Sequence, residues 1–337
     1  MSMRWLARGL VCVLAWSLAS AQAGDVSPAG GVETPLNTWL MRVHQAARQS
    51  VYTGTFVVSA GGNLASARIW HVCDGAQQLE RVETLSGVPR AIFRRNDQVV
   101  TFFPLSKVAV AEVRESLGLF PNLLQSSDSS IGDFYRFKVL GTERIAGFDA
   151  EVAQLTPVDR MRYGYRVWSE KRTGLIVQLQ TLDLDGRVLE QAAFSELHLD
   201  APVNAGKLSR LGSTEGYRVV RPDLQKTSPD AQGWVLNKDV DGFKPMGCYQ
   251  RPQAAASVAG GNAAGGTMQW VFSDGVATVS LFVEAFDPRR HAREGMTDMG
   301  GATHTLTRHI NDWWATAVGE VPPATLQAFV LALERKK

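Results

Sequence analysis

The sequence predicts a mainly β protein in which an antiparallel barrel or half-barrel is followed by a smaller α+β unit. Runs of strand length recur about every ten residues between Val51 and Phe194, with Gly, Pro, Asn and Asp at the breaks. This spacing is typical of a meandering antiparallel sheet. About eleven such strands in one row would curl, and a curled sheet of that size forms a barrel or half-barrel.

A secretory signal is predicted for residues 1–23. Arg4 and Arg8 precede the apolar run Gly9–Ala19, and Ala21–Ala23 offers small residues for cleavage. The apolar run is too short for a permanent membrane helix. An uncleaved anchor is the alternative, but the favoured expectation is an exported protein that is soluble after cleavage.

Charge balance argues against nucleic acid as a partner. The chain has 35 basic and 33 acidic residues, and removal of Arg4 and Arg8 with the signal would leave the two signs equal. Binding to phosphate backbones requires a basic excess.

The first domain is expected over residues 34–199. Thr34 and Pro35 suit a helix start, and a helical stripe of apolar residues follows it, which predicts a helix covering the sheet. In the first strand Tyr52, Phe56 and Val58 share one face, because side chains alternate along a strand. Three further strands are predicted between Tyr163 and Phe194, separated by tight turns at Gly174 and Gly186.

The strand pattern is lost at residues 200–233, which are predicted to be a linker, and the second domain is expected over residues 234–337. Its centre is a hairpin in which Ser273–Gly275 joins two strands. Pro322 and Pro323 open a final helix whose Ala324, Leu326, Phe329 and Val330 can face the sheet. Residues 251–266 are rich in Ala and Gly and are predicted to be a flexible loop.

No catalytic residues, cofactor or metal site are predicted. The six histidines lack metal-ligand spacing. Asp183 and Asp185 could in principle serve acid–base chemistry, but turns use Asp for their own backbone hydrogen bonds, and this interpretation is favoured. Cys73 and Cys248 lie far apart in the chain, and a bond between them stays open.

Aromatic residues are the remaining candidates for a binding site. One sheet face can enclose an apolar cavity, for which the candidates are Tyr52, Phe56, Val58 and Trp168; packing in an ordinary core is the alternative for each. In the second domain we expect Trp270, Phe272 and Phe282 to share a face opposite Val279 and Leu281 and to contact a protein partner.

Several motifs in order resemble the MucB/RseB family. They are Tyr52–Val57 (YTGTFV), Glu80–Val82 followed by Ser86–Arg90, Tyr163–Trp168 (YGYRVW), Thr173–Leu175, Phe272–Ser280 (FSDGVATVS) and Val318–Pro323 (VGEVPP). The resemblance spans essentially all of the chain after residue 23. The Ala- and Gly-rich insertion at 251–266 departs from the family pattern.

The resemblance implies a half-open barrel similar to the LolA/LolB lipoprotein carriers, with a smaller C-terminal domain. It also implies binding to the periplasmic part of a membrane-spanning anti-sigma factor of the MucA/RseA type, which is thereby shielded from the site-1 protease. Lipid or lipopolysaccharide would be the releasing signal. A lipid or lipoprotein carrier is the alternative function, and a homo-oligomer is compatible with the sequence.

Overall fold

A computed structural model describes residues 36–336 except 74, 76, 114–119, 121–130 and 252–265. The predicted signal, the helix start at Thr34 and Pro35, and most of the 251–266 loop therefore lie outside the described residues. Within them, no helix has both the length and the apolar character needed to cross a bilayer.

The first helix, α1, spans Leu36–Gln49 and carries the predicted apolar stripe. Leu40, Val43 and Ala47 are buried, and Trp39 joins them. The helix forms because these residues recur at three- and four-residue intervals, so that their burial against the sheet stabilises it.

Twelve strands form the first sheet, and the short helix α2 (Ile131–Phe134) precedes the seventh strand. The strands are β1 Tyr52–Ala60, β2 Asn63–Cys73, β3 Gln78–Thr84, β4 Ala91–Arg95, β5 Gln98–Phe103, β6 Val108–Val113, β7 Tyr135–Ile145, β8 Phe148–Pro157, β9 Gly164–Glu170, β10 Ile176–Leu182, β11 Val188–Leu199 and β12 Arg218–Val220.

The strand order is β12-β6-β5-β4-β3-β2-β1-β11-β10-β9-β8-β7. Because β12 and β7 do not pair, the sheet stays open, and the predicted half-open barrel is confirmed. The predicted strands do lie in one sheet, but not in simple chain order. The chain runs from β1 out to β6, crosses to β7, and returns so that β11 pairs with β1.

The central pair, β1 and β11, is antiparallel with a bulge beside Thr55 and Phe56. Gly54 is needed at this point, since a Cβ there would approach the carbonyl oxygen of Glu196 to 2.5 Å. The absence of a side chain thus permits the close approach of the two strands on which both halves of the sheet meet.

The predicted linker is more structured than expected. Residues 200–233 contain helix α3 (Ala205–Arg210), strand β12 and strand β13 (Gln225–Thr227). β12 extends the first sheet by pairing in parallel with β6, and β13 pairs with a strand of the second sheet. Such three-residue strands carry too little periodicity to be detected in sequence.

The second sheet has seven strands in the order β13-β15-β16-β17-β20-β19-β18. Its remaining strands are β15 Lys244–Arg251, β16 Thr267–Ser273, β17 Thr278–Ala285, β18 Gly295–Asp298, β19 His304–Ile310 and β20 Trp313–Gly319. A separate pair joins β14 (Trp234–Leu236) to the C-terminal β21 (Leu333–Arg335).

The last helix, α4, spans Pro323–Ala332 and packs its buried residues on the second sheet. Leu326, Phe329 and Val330 face the core as expected, whereas Ala324 is exposed and Thr325 is buried instead. Both Cys73 and Cys248 are free, so no disulfide joins the two sheets.

We predict that Phe329→Ala lowers the free energy of unfolding by about 3–5 kcal/mol, the usual cost of removing a fully buried aromatic side chain. Phe329 is fully buried, with ring centroids 4.8 Å from Phe272 and 5.6 Å from Phe243. Urea denaturation followed by circular dichroism measures the change. Leu331→Ala is the matched control, because Leu331 lies on the same helix and is 66% exposed. A control loss as large as that of Phe329→Ala would contradict this account of the core.

Candidate functional sites

The four residues proposed for an apolar cavity come together in one cluster, which we call the barrel cluster. Tyr52, Phe56 and Trp168 are buried in it, and half-buried Val58 packs against it. Strand alternation therefore placed the β1 residues correctly on one face. The other buried members are Ala46, Ile69, Val82, Ala150, Val152, Leu175, Val177, Phe194 and Leu197.

The centre of the barrel cluster is filled by aromatic rings. Phe120 lies 5.4 Å from Phe56 and 5.1 Å from Phe194, and Phe194 also meets Tyr52 edge-on at 6.2 Å. Phe120 packs in addition against a second cluster, built on α1 and containing Trp39, Leu40 and Val43. Phe120 therefore joins the packing of the two clusters.

A row of polar residues crosses the sheet at one end of the barrel cluster. Cross-strand pairing sets Tyr52 beside His71, His71 beside Glu80, and Glu80 beside Arg94. All four side chains are buried. The Tyr52 hydroxyl and Glu80 Oε2 have no hydrogen-bond partner among the described residues. Sequence patterning gave no sign of this row, because its members lie on four different strands.

His71 is held as a neutral imidazole. Its Nδ1 lies 2.6 Å from the carbonyl oxygen of Ser50, and its Nε2 lies 2.9 Å from Nε2 of Gln78. Because the carbonyl can only accept, Nδ1 carries the proton and Nε2 accepts from Gln78. Burial lowers the pKa of His71 to about 4. The imidazole also stacks on Tyr52, with ring centroids 5.0 Å apart.

Glu80 is shifted in the opposite direction. Burial raises the pKa of Glu80 to about 7, and the nearby positive charge of Arg94 opposes the shift only in part. Burial penalises the charged form of each group, so an imidazole stays neutral and a carboxyl is protonated more readily.

The prediction that Trp270, Phe272 and Phe282 share one face of the second sheet, opposite Val279 and Leu281, is wrong. Trp270 pairs with Leu281 and Phe272 with Val279, so these residues share one face instead of lying opposite each other. Phe282 pairs with Gln269 on the other face, where the Arg251 guanidinium lies 5.9 Å from its ring. The hairpin register, which sequence alternation does not specify, decides which faces coincide.

Trp270 and Phe272 nevertheless line a pocket of about 200 Å³, which we call the aromatic pocket. Trp270 contacts Phe272 at a ring distance of 4.7 Å. Asp230 and Asp239, both exposed, are its acidic residues. The remaining lining residues are Pro229, Trp234, Val235, Leu236, Val240, Phe243 and Pro245.

The carboxylates of the β10–β11 turn have a structural role. Asp183 Oδ1 accepts from the backbone N–H groups of Asp185 and Arg187, and its Oδ2 accepts from the Arg187 side chain. This confirms the interpretation of these residues as turn formers. In the part of the chain that the structure describes, no three His, Cys, Asp or Glu residues could hold a metal ion.

Sequence reasoning missed Phe120, Phe194, Trp234 and Phe243. Each is an isolated aromatic in its own segment, and only the fold brings it beside the predicted residues. Phe120 and Phe194 belong to the packed barrel cluster, whereas Trp234 and Phe243 line the aromatic pocket.

The chain belongs to the MucB/RseB family. The family's N-terminal domain matches residues 35–211, and its C-terminal domain matches residues 228–334. One relative is the sigma factor AlgU regulatory protein MucB of Pseudomonas aeruginosa, 26% identical over 88% of this chain and 89% of the relative. Another is the sigma-E factor regulatory protein RseB of Escherichia coli, 25% identical over 96% of both chains.

Solved structures share this fold. The complex of Pseudomonas aeruginosa MucA and MucB superposes with a TM-score of 0.68 at 23% identity, over 89% of this chain and 99% of the solved one. A second structure of MucB in complex with MucA(peri) gives a TM-score of 0.66 at 24% identity, over 89% and 98% of the two chains.

We predict that His71 makes stability depend on pH between about 6.5 and 4. Because the folded-state pKa of His71 is lowered, its contribution to the free energy of unfolding is fully present above pH 6.5. This contribution is lost as the pH falls towards 4, because the unfolded chain takes up the proton first. The full loss is about 3 kcal/mol. Urea denaturation at stepped pH should therefore show the free energy of unfolding of the wild type falling relative to that of His71→Gln, by about 3 kcal/mol in total, as the pH is lowered from 6.5 to 4.

Glu80 acts in the opposite sense, since its raised pKa costs stability as the pH rises from 4.5 through about 7. Glu80 is present in both the wild type and His71→Gln, so its contribution cancels when the free energies of unfolding of the two proteins are subtracted. His198→Gln, a change of an exposed histidine, should leave the profile unchanged. An NMR titration showing that His71 is protonated at pH 6 would contradict the burial argument.

Proposed function

We propose that this protein is a periplasmic regulatory binding protein. It binds the periplasmic part of a membrane-spanning anti-sigma factor, shields it from site-1 proteolysis, and so restrains the envelope-stress response. The match of both family domains along the chain carries the proposal. It is supported by relatives named as regulators of AlgU and sigma-E, and by solved complexes of MucB with MucA.

The same proposal assigns the parts of the chain. Residues 1–23 direct export, residues 34–199 form the half-barrel domain, residues 200–233 connect, and residues 234–337 form the C-terminal domain. Strand β12 pairs with the first sheet and strand β13 with the second, which supports a connecting segment that is held at both ends.

For the partner site we propose the aromatic pocket. Trp and Phe side chains around a small concavity are frequent anchors of protein interfaces. Phe272 is a poor probe of this site, because it is only 3% exposed and packs on Phe329. Trp270 lines the same pocket and is 8% exposed, and Phe282 offers a comparison on the opposite face.

For the lipid site we propose the barrel cluster. Tyr52, Phe56, Val58 and Trp168 lie together there beside a polar row, an arrangement that suits an acyl chain with a polar head. Phe120 occupies space within the cluster, so an entering chain has to compete with its ring.

We predict that Trp270→Ala weakens binding to the purified periplasmic segment of a MucA-type anti-sigma factor by about tenfold, which is about 1.4 kcal/mol. Removal of the indole takes one wall from the pocket. Isothermal titration calorimetry on the mature protein measures the affinity, and circular dichroism verifies folding. Phe282→Ala is the control and should bind within about twofold of the wild type. A loss in Phe282→Ala alone would move the interface to the opposite face, and no binding by the wild type would refute the function.

We predict that Val58→Trp weakens binding of a fluorescent dodecanoic acid by about tenfold, because the larger side chain overfills the barrel cluster. Phe120→Ala should have the opposite effect and bind more tightly, since it removes the competing ring. Fluorescence titration measures both affinities.

Val188→Trp is the matched control, because Val188 is 49% exposed on β11. Equal effects of the changes at Val58 and Val188 would show that the fatty acid binds outside the barrel cluster.

A further inference from the structure

The face of the first sheet that points away from the barrel cluster carries a polar groove of about 230 Å³, which we call the outer groove. Three neighbouring strands each contribute two side chains to its lining: Thr53 and Thr55 of β1, Arg68 and Trp70 of β2, and Glu196 and His198 of β11. These residues alternate along their strands with those that face the barrel cluster. The outer groove is therefore separate from both proposed sites.

Cross-strand pairing gives the outer groove its shape. In one row Thr53 lies between Trp70 on β2 and His198 on β11. In the next row Thr55 lies between the arginine and the glutamate of the same two strands. Paired residues on one face have their Cβ atoms about 5 Å apart. Two short threonines between two rows of long side chains therefore form the floor of a groove that runs along β1.

The bulge between β1 and β11 supplies part of the second wall. Phe194 and Leu197 both face the barrel cluster, although three positions separate them in the chain. Strict alternation would place a single outward residue between two inward ones, whereas Ser195 and Glu196 are both exposed here. Bulges redirect side chains in this way and are frequent beside functional sites. The Glu196 carboxylate is thereby brought to the groove, with its Oε1 2.9 Å from Nε2 of His198.

Trp70 is anchored on one side and accessible on the other. It is half-buried and packs against the cluster that contains Phe93 of β4 and Leu208 of α3. Its remaining surface lines the outer groove. The indole is therefore held in place before any ligand arrives, and a ligand that packs on it meets an aromatic surface whose freedom is already restricted.

The charges of the outer groove balance. Arg68 is exposed and offers donors, while Glu196 offers acceptors. The Thr53 hydroxyl donates to a backbone carbonyl oxygen 3.1 Å away, so its own oxygen is left to accept. Beside Trp70 on β3, the Nε of Arg81 lies 2.6 Å from Oε1 of Glu83. One guanidinium and one carboxylate in the groove leave no excess charge to attract a phosphate or a polyanion.

The outer groove is lower-walled towards the β1–β2 turn. Beyond Thr55, the next residue of this face on β1 is Val57, which is flanked by Ser66 of β2 and Ala193 of β11. These side chains are shorter than the arginine, tryptophan and glutamate that form the walls beside the threonines. A ligand longer than one ring can therefore continue along β1 in this direction.

We propose that the outer groove binds a neutral oligosaccharide, with one pyranose ring against Trp70 and its hydroxyl groups bonded to Arg68 and Glu196. A pyranose ring has a face of C–H groups, which packs on an indole. Its rim consists of hydroxyl groups, each of which donates and accepts hydrogen bonds. The guanidinium donates to such a group and the carboxylate accepts from one. This site goes beyond the proposed function, because neither the barrel cluster nor the aromatic pocket takes part in it.

The test is a titration of the mature protein with chitotetraose, followed by the NMR signals of the tryptophan indole N–H groups. We expect a dissociation constant of about 1 mM or below, and a shift of the Trp70 signal, which is identified by its absence from Trp70→Phe. Thr55→Trp fills the floor of the groove and should weaken binding by about tenfold. Thr142→Trp is the matched control and should bind as the wild type does, since Thr142 is exposed on β7 of the same sheet.

A second pair of variants tests the polar wall. Arg68→Ala should weaken binding by about tenfold, the usual effect of losing a hydrogen bond from a charged donor. Arg136→Ala, a change of an exposed arginine on β7, should leave the affinity unchanged.

Two further ligands test the chemical class. Maltotetraose has hydroxyl groups in place of the acetamido groups, and tetragalacturonate has a negative charge on every ring. Binding of either neutral tetramer that is lost in Thr55→Trp supports the proposal. It is overturned if neither neutral tetramer binds below about 10 mM, if a folded Thr55→Trp protein keeps the wild-type affinity, or if tetragalacturonate binds more tightly than both.

Discussion

The open edge of the first sheet is the constraint on which the rest of this structure depends. A twelve-stranded sheet that does not close leaves an apolar interior that must be covered. Helix α1 supplies most of the cover through Trp39, Leu40 and Val43, Phe120 fills the centre, and Val276 is contributed by the second sheet. The cover therefore comes from parts of the chain that lie far apart in sequence.

The buried charges where the two sheets meet follow from the same need to cover the open first sheet. Once the β16–β17 turn enters the first sheet's packing, Asp274 comes with it and needs a partner there. Arg162 and Tyr135 meet this need, while Phe134 and Phe243 receive the guanidinium on their faces. Breaking one member of such a set leaves an uncompensated charge, which is why the contact should respond as a unit.

The two proposed sites differ in chemistry in a way that suits regulation. The barrel cluster joins apolar rings to a buried row that includes Glu80 and His71, whose pKa values burial shifts in opposite directions. The aromatic pocket is smaller and has exposed carboxylates among its lining residues. Under the proposed function, the first arrangement is the lipid site and the second is the site for a protein side chain.

Local alternation in the sequence determined most of the strands, the turns at Gly174 and Gly186, and the shared face of Tyr52, Phe56 and Val58. The family motifs added the half-open barrel. Only the tertiary structure decided the return of β11 onto β1, the β12 strand inside the expected linker, the face shared by Trp270 and Leu281, and the insertion of Val276. The physical reason is that alternation depends on neighbouring residues, whereas strand register and packing partners depend on residues far apart in the chain.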